Sequence, residues 1–172
     1  MKKVMLLLFC FGLSLSVNSA FAGDKKSAVT PKSFESMKQL LGTWEGKGKM
    51  HGEEQTVKSV YSLTSGGSAI QHVFMPETPG EMITMYHKEG DSLAMTHYCA
   101  LGNQPYMKLK KATDTTFAFE MSGTRGIQSK KEPHMHAVTV TLVDNNKLKE
   151  EWVFYKDGKE ESATLFSFNR ID

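Results

Sequence analysis

From Thr43 to Asn169 the chain runs in short segments of alternating apolar and polar residues, broken at regular intervals by Gly, Pro, Asn and Asp. A period of two places alternate side chains on opposite faces of an extended chain, so each segment reads as a strand with one buried face. Ten strands are predicted, over 43–51, 55–63, 67–75, 81–88, 91–100, 105–111, 115–122, 134–143, 147–156 and 160–169. Turn chemistry separates them at Ser65-Gly66-Gly67, Thr78-Pro79-Gly80, Glu89-Gly90-Asp91, Gly102-Asn103, Asp144-Asn145-Asn146 and Asp157-Gly158. Before the strands, Thr30 and Pro31 offer an N-cap and first helical position. Phe34, Met37, Leu40 and Leu41 share one helical face, and Gly42 stands at the C-cap. Successive hairpins leave two raw edges unless the sheet closes. The fold class expected is therefore all-β, a ten-stranded antiparallel up-and-down β-barrel preceded by one short α-helix, with a two-sheet sandwich as the competitor.

Hairpin counting extends this to faces. A three-residue turn at Asp144-Asn145-Asn146 sets Leu142 against Leu148, Val140 against Glu150, Val138 against Trp152 and His136 against Phe154. The next turn sets Thr164 beside Trp152, Phe166 beside Glu150 and Phe168 beside Leu148. Met107, Leu109, Phe117, Phe119 and Met121 fall on one side of the preceding hairpin. This parity is mostly apolar and reads as the interior, within which Glu150 needs a partner or a role. A turn over Lys88 to Asp91 pairs His87 with Ser92 and puts His87 and His97 on opposite faces. The inward set is then either His87, Tyr98 and Met107 or His97, Cys99 and Tyr106. Gly123 to Pro133, rich in Gly, Lys and Ser, is predicted to be a mobile loop and a lid at one end.

The first residues change the charge and compartment. Met1-Lys2-Lys3, an apolar run from Val4 to Val17 and Ala20-Phe21-Ala22 have the parts of a secretory signal peptide, with cleavage expected after Ala22 and no span in the mature form. The expected domains are a signal peptide over 1–22, a disordered leader over 23–29 and a barrel domain over 30–172. Loss of Lys2 and Lys3 takes the formal charge from +2 to zero. Nucleic acid, which needs a surplus of cations on one face, is not an expected partner. Of the 2 cysteines only Cys99 would survive, so the exported chain would hold no internal disulfide.

Leu41-Gly42-Thr43-Trp44-Glu45-Gly46 after a short helix, with Asn169-Arg170 ending the last strand, resembles the lipocalin-like (calycin) superfamily. The resemblance implies that Trp44 plugs one end of the barrel and that Arg170 packs across it. The strand count and Gly-Thr-Trp-x-Gly are also similar to the nitrobindin-like haem barrels and to exported proteins of the DUF1579 type. The nitrobindin group carries its haem-ligating His near the C-terminus. Here the last histidine is His136, which disfavours haem.

Candidate chemistry comes from His97-Tyr98-Cys99 and His134-Met135-His136. Alternate positions on a strand place both side chains on one face about 7 Å apart, close enough to converge on zinc, or on copper with Met added. A metal set of His97, Cys99, His134 and His136 is one expectation. Catalysis is a further one, with Cys99 and His97 as nucleophile and base or Glu150 and His136 as an acid–base pair. No P-loop, dinucleotide fingerprint, nucleophile elbow or HExxH run occurs. The leading expectation is a periplasmic or secreted barrel holding a small apolar or amphipathic ligand. Its lining would be Tyr61, Tyr98, Met107, Phe119, His136, Glu150, Trp152 and Phe166, with His136 and Glu150 orienting the ligand. A packed barrel acting through its surface is the third reading.

Overall fold

The computed structural model describes residues 32–50 and 52–172. The expected cleavage site, the leader, Thr30 and Pro31 lie outside the described residues. A short helix, α1 (Lys32–Met37), runs into a single 3₁₀ turn (Lys38–Leu40). Ten strands follow: β1 (Gly42–Met50), β2 (Glu53–Thr64), β3 (Ala69–Phe74), β4 (Met82–Glu89), β5 (Ser92–Tyr98), β6 (Tyr106–Ala112), β7 (Thr116–Met121), β8 (His134–Asp144), β9 (Lys147–Lys156) and β10 (Lys159–Arg170). Every strand pairs antiparallel with its chain neighbours, and β1 pairs with β10, so the sheet closes into a barrel and leaves no edge. Among the described residues no helix is long and apolar enough to cross a membrane.

The alternation read from the sequence is the burial pattern observed. Val138, Val140, Leu142, Leu148, Trp152, Phe166 and Phe168 are all buried. The registers Leu142–Leu148, Val140–Glu150, Val138–Trp152 and Thr164–Trp152 are those of the hairpin counts. The turns themselves differ: each is two residues long, and the third residue counted at each is a bulge, near Val143 and near Glu161. Turn and bulge together skip the same number of residues, so the register beyond them is unchanged.

A further bulge between Met135 and Ala137 breaks the count. Met135, not His136, pairs with Phe154 and packs against the core, while His136 is the inserted residue and stacks on Tyr155 at 3.8 Å. The β4–β5 turn is Gly90-Asp91, so His87 pairs with Ala94 rather than Ser92. That shift of two residues preserves parity, and His87 and His97 do lie on opposite faces.

One end of the barrel is closed by the helix. Phe34, Met37 and Leu40 are buried against Trp44, whose indole Nε1 donates to the Leu40 carbonyl at 2.8 Å. The Arg170 guanidinium lies 4.0 Å over the Trp44 ring and donates to the carbonyls of Gln39 (2.9 Å), Leu41 and Asn145 (2.8 Å). The glycines of this first strand have a packing cause. A Cβ on Gly46 would lie 2.2 Å from the Ser167 carbonyl oxygen, and one on Gly48 would lie 2.2 Å from the Phe166 ring. Phe166 and Phe168 therefore pack directly over the β1 backbone.

Candidate functional site

The barrel interior is apolar except for one belt of polar side chains. Tyr61, His72, Thr84 and His97 are registered side by side across β2, β3, β4 and β5, so a single row of the sheet presents all four inward. All four are buried. His72, Thr84 and His97 share the parity of the apolar residues on their strands, Ile70 and Phe74, Tyr86, and Met95 respectively.

Glu150, on β9, meets this row from across the lumen and is completely buried. Its Oε1 accepts from the Tyr61 hydroxyl at 2.8 Å and from Ser59 Oγ at 3.4 Å, and its Oε2 accepts from Trp152 Nε1 at 3.0 Å. Every partner is a donor, which is how a buried carboxylate is held without a paired cation. His72 Nε2 lies 2.6 Å from Ser59 Oγ and 3.6 Å from Glu150 Oε1. In the tautomer that frees Ser59 to donate to the carboxylate, the short His72–Ser59 bond has the imidazole N–H as donor. This leaves His72 Nδ1 as a bare acceptor. The Tyr61 and His72 rings stack at 4.1 Å, and His97 sits 4.6 Å from Trp152 with its Nδ1 2.9 Å from Thr84 Oγ1.

Burial sets the protonation of this belt. It pulls the His97 imidazole down to about 3, with the neighbouring His72 adding to the effect, and lowers His72 against the opposing pull of Glu150. Both rings are neutral near pH 7. Burial first, and the Glu150 charge second, push the Tyr61 and Tyr86 phenols up. Three polar atoms of the belt, His72 Nδ1, His97 Nε2 and the Tyr86 hydroxyl, are buried without a well-formed hydrogen bond among the described residues.

A second polar group lies at the barrel rim, at the end away from the helix. His134 is buried, with Nδ1 2.6 Å from the Glu132 carbonyl and Nε2 3.1 Å from His136 Nδ1. A cavity of about 310 Å³ opens beside them, lined by Glu120, Met121, Ile127, Lys130, His136 and Tyr155 among others. The Gly123 to Pro133 loop, expected to be a mobile lid, is bonded on both flanks. Gln104 N donates to the Gly126 carbonyl at 2.9 Å and Tyr106 N to the Arg125 carbonyl at 3.1 Å. Asn103 Nδ2 donates to Glu132 Oε1 and to the Pro133 carbonyl, and Asp157 N to the Lys131 carbonyl. Gly126 permits this, since a Cβ there would lie 1.7 Å from the Gln104 carbonyl oxygen.

The residues proposed from sequence divide accordingly. Tyr61, Met107, Phe119, Glu150, Trp152 and Phe166 are buried among the inward positions. Tyr98 is not: it pairs with Ile83 on the outer face and is 50% exposed. His136 is carried out of the inward series by its bulge and belongs to the rim. Neither alternative inward set holds as drawn. Met95 pairs with Met107 and Thr96 with Tyr106, so the lumen takes His97 with Met107, while Tyr106 packs outside under Arg125.

The four proposed metal ligands do not converge. His97 faces Thr84 and Trp152, Cys99 Sγ lies 3.9 Å from Met82 Sδ, and His134 and His136 face each other. Among the described residues no three His, Cys, Asp or Glu side chains group as a metal would require. The members of the proposed catalytic pairs bond other groups, His97 to Thr84, Cys99 to Met82 and Glu150 to Tyr61, Trp152 and Ser59. Burial also raises the Cys99 thiol, the wrong direction for a nucleophile. Ser59, His72 and Glu150 do not form a hydrolase triad, because the carboxylate and serine share one imidazole nitrogen. Sequence reasoning missed Ser59, His72, Thr84 and Tyr86. The available signal was polar residues standing at buried parity, such as His72 between Ile70 and Phe74.

No family model and no curated protein matches this chain. Among solved structures, it is similar to a protein of unknown function from the DUF3598 family of Nostoc punctiforme, at 15% identity and a TM-score of 0.53. The match covers 78% of this chain and 49% of that one, so the chain spans about half the length of the structure it resembles. The likeness is one of fold.

Proposed function

We propose that this protein is a lipocalin-like barrel that takes a small molecule into its interior, with the ligand's polar end against the Tyr61–His72–Thr84–His97 row and Glu150. The observation that carries this reading is the set of three buried polar atoms, on β3, β4 and β5, left without a well-formed hydrogen bond. Such an atom costs about 1–3 kcal/mol in a folded protein, so adjacent strands that keep three of them point to a partner from outside the chain. The apolar part of the ligand would lie among Phe74, Trp152 and Phe166. At the end away from the helix, Met50, Met75, Met82 and Met135 are partly buried against the core. Flexible thioethers can re-pack as a molecule passes. The helix plug with Trp44 under Arg170 supports placement in the lipocalin-like superfamily. The nitrobindin-like and DUF1579-type likenesses rest on the Gly-Thr-Trp-x-Gly motif, and the periplasmic or secreted location rests on the N-terminal pattern.

Native mass spectrometry of the protein purified from its own host tests the reading. The expected result is an organic adduct that leaves on denaturation, and its absence from a Trp152→Ala variant that keeps the barrel's circular dichroism. An empty wild-type spectrum, or an adduct unaffected by Trp152→Ala, would overturn it.

A further inference from the structure

The belt also selects a charge, an inference that rests on the interior-binding reading above. The buried polar side chains among the described residues are Ser33, Ser36, Ser59, His72, Thr84, His97, Asn103, His134 and Glu150, with no Lys or Arg. The interior therefore holds one carboxylate and no compensating side-chain cation. Lys130 lines the rim cavity. Among the described residues Glu150 Oε2 has a single donor, Trp152 Nε1, although a carboxylate oxygen accepts two. His72 Nδ1 is a second buried atom without a partner among the described residues, and it is an acceptor in the tautomer whose Nε2–H bonds Ser59. What the site lacks, then, is donors and positive charge.

We propose that the interior ligand is an amine, or a comparable nitrogen base protonated at neutral pH, whose N–H groups bond Glu150 Oε2 and His72 Nδ1 while its hydrocarbon body lies among the aromatic rings. The rings around the belt favour the same sign, because the Tyr61, Trp152 and Phe74 π-faces attract cations. A carboxylate-headed ligand such as a fatty acid meets the reverse situation. It would be brought against Glu150 in a medium that screens poorly, with no buried cation to receive it.

Octylamine, 1-octanol and octanoate carry the same chain with a cationic, neutral and anionic head, and isothermal titration calorimetry at pH 7.4 compares them. Octylamine is expected to bind most tightly, octanol next, and octanoate at least about tenfold more weakly than the amine. Glu150→Gln keeps the shape and removes the charge. In that variant the amine-to-acid ratio is expected to fall several-fold, with octanol affinity little changed. Octanoate binding as tightly as octylamine to the wild type overturns the amine assignment without recourse to any variant. So does an unchanged ratio in a folded Glu150→Gln protein. In both cases octanol binding shows that the interior-binding reading itself stands. If none of the three probes binds, both fall together.

Discussion

The two ends of this barrel are built from similar residues and finished in opposite ways. At the helix end the polar groups of the plug are paired. Trp44 Nε1 has its carbonyl, Arg170 has three carbonyls and an indole face, and the Asp172 carboxylate accepts from the Thr43 backbone N–H and hydroxyl. Toward the other end, His72 Nδ1 and His97 Nε2 have lone valences, the buried Asn103 leaves its Oδ1 unpaired, and a cavity of about 310 Å³ lies at the rim. A folded chain that satisfies its polar groups at one end shows that it can do so. Unsatisfied groups at the other end are the feature on which the proposed interior binding rests.

Trp44→Ala attacks the satisfied end and has the largest expected effect. It removes a fully buried indole, its hydrogen bond to Leu40 and the surface beneath Arg170, at a cost of about 3–5 kcal/mol. Urea denaturation measures this, and a loss below about 1 kcal/mol would mean that the helix end does not hold the barrel together.

Acid attacks the unsatisfied end. The unfolded chain binds a proton on His97 near 6.5, the ordinary histidine value, whereas the native ring resists it until about 3. Between those values the unfolded state holds more protons, so stability falls as the pH falls. The slope approaches about 1.4 kcal/mol per pH unit once the unfolded histidine is protonated, which integrates to about 2 kcal/mol between pH 6.5 and 4.5. Urea midpoints at pH 7.5, 5.5 and 4.5 for wild type and His97→Leu separate this from the carboxylates, whose losses both proteins share. The variant is expected to be flatter by that slope, and parallel profiles would sink the neutral buried histidine.

The same division explains what could be read from sequence. The barrel followed from alternation and turn residues, because a period of two and a closed sheet leave little choice once ten strands are counted. Registers near hairpins also followed, since turn and bulge together conserved the count around Val143 and Glu161. His136 did not, because its bulge sits at the start of β8, at the opposite end of the strand from the β8–β9 turn that sets the count, and no residue type announces it. Tyr98 lies outside because alternation alone does not choose the inward parity of β5, and an aromatic residue on an outer face looks the same in sequence as one inside. The belt's row, Tyr61–His72–Thr84–His97, depends on the stagger of four strands, which closure fixes and no local pattern records. Glu150 was legible as an anomaly, and its partners were not.

The finest comparison sits inside the belt, between two tyrosines that differ in little but their hydroxyl. Tyr61 and Tyr86 are both completely enclosed, with ring centroids 6.5 Å apart, and burial pushes both phenols up. Tyr61 donates to Glu150 at 2.8 Å, while the Tyr86 hydroxyl has only the neighbouring Tyr61 hydroxyl, outside good hydrogen-bond geometry. Tyr61→Phe takes a donor from a buried carboxylate and is expected to cost about 1–3 kcal/mol. Tyr86→Phe removes a polar atom already unpaid for, so stability is expected to hold or to rise by up to about 1 kcal/mol. Urea denaturation of the empty proteins checks both. Octylamine titration completes the test: if the hydroxyl is kept for a ligand, Tyr86→Phe weakens binding in the protein it does not destabilise. A Tyr86→Phe variant that loses stability and leaves binding untouched would instead place that hydroxyl in the architecture, on the same footing as Trp44.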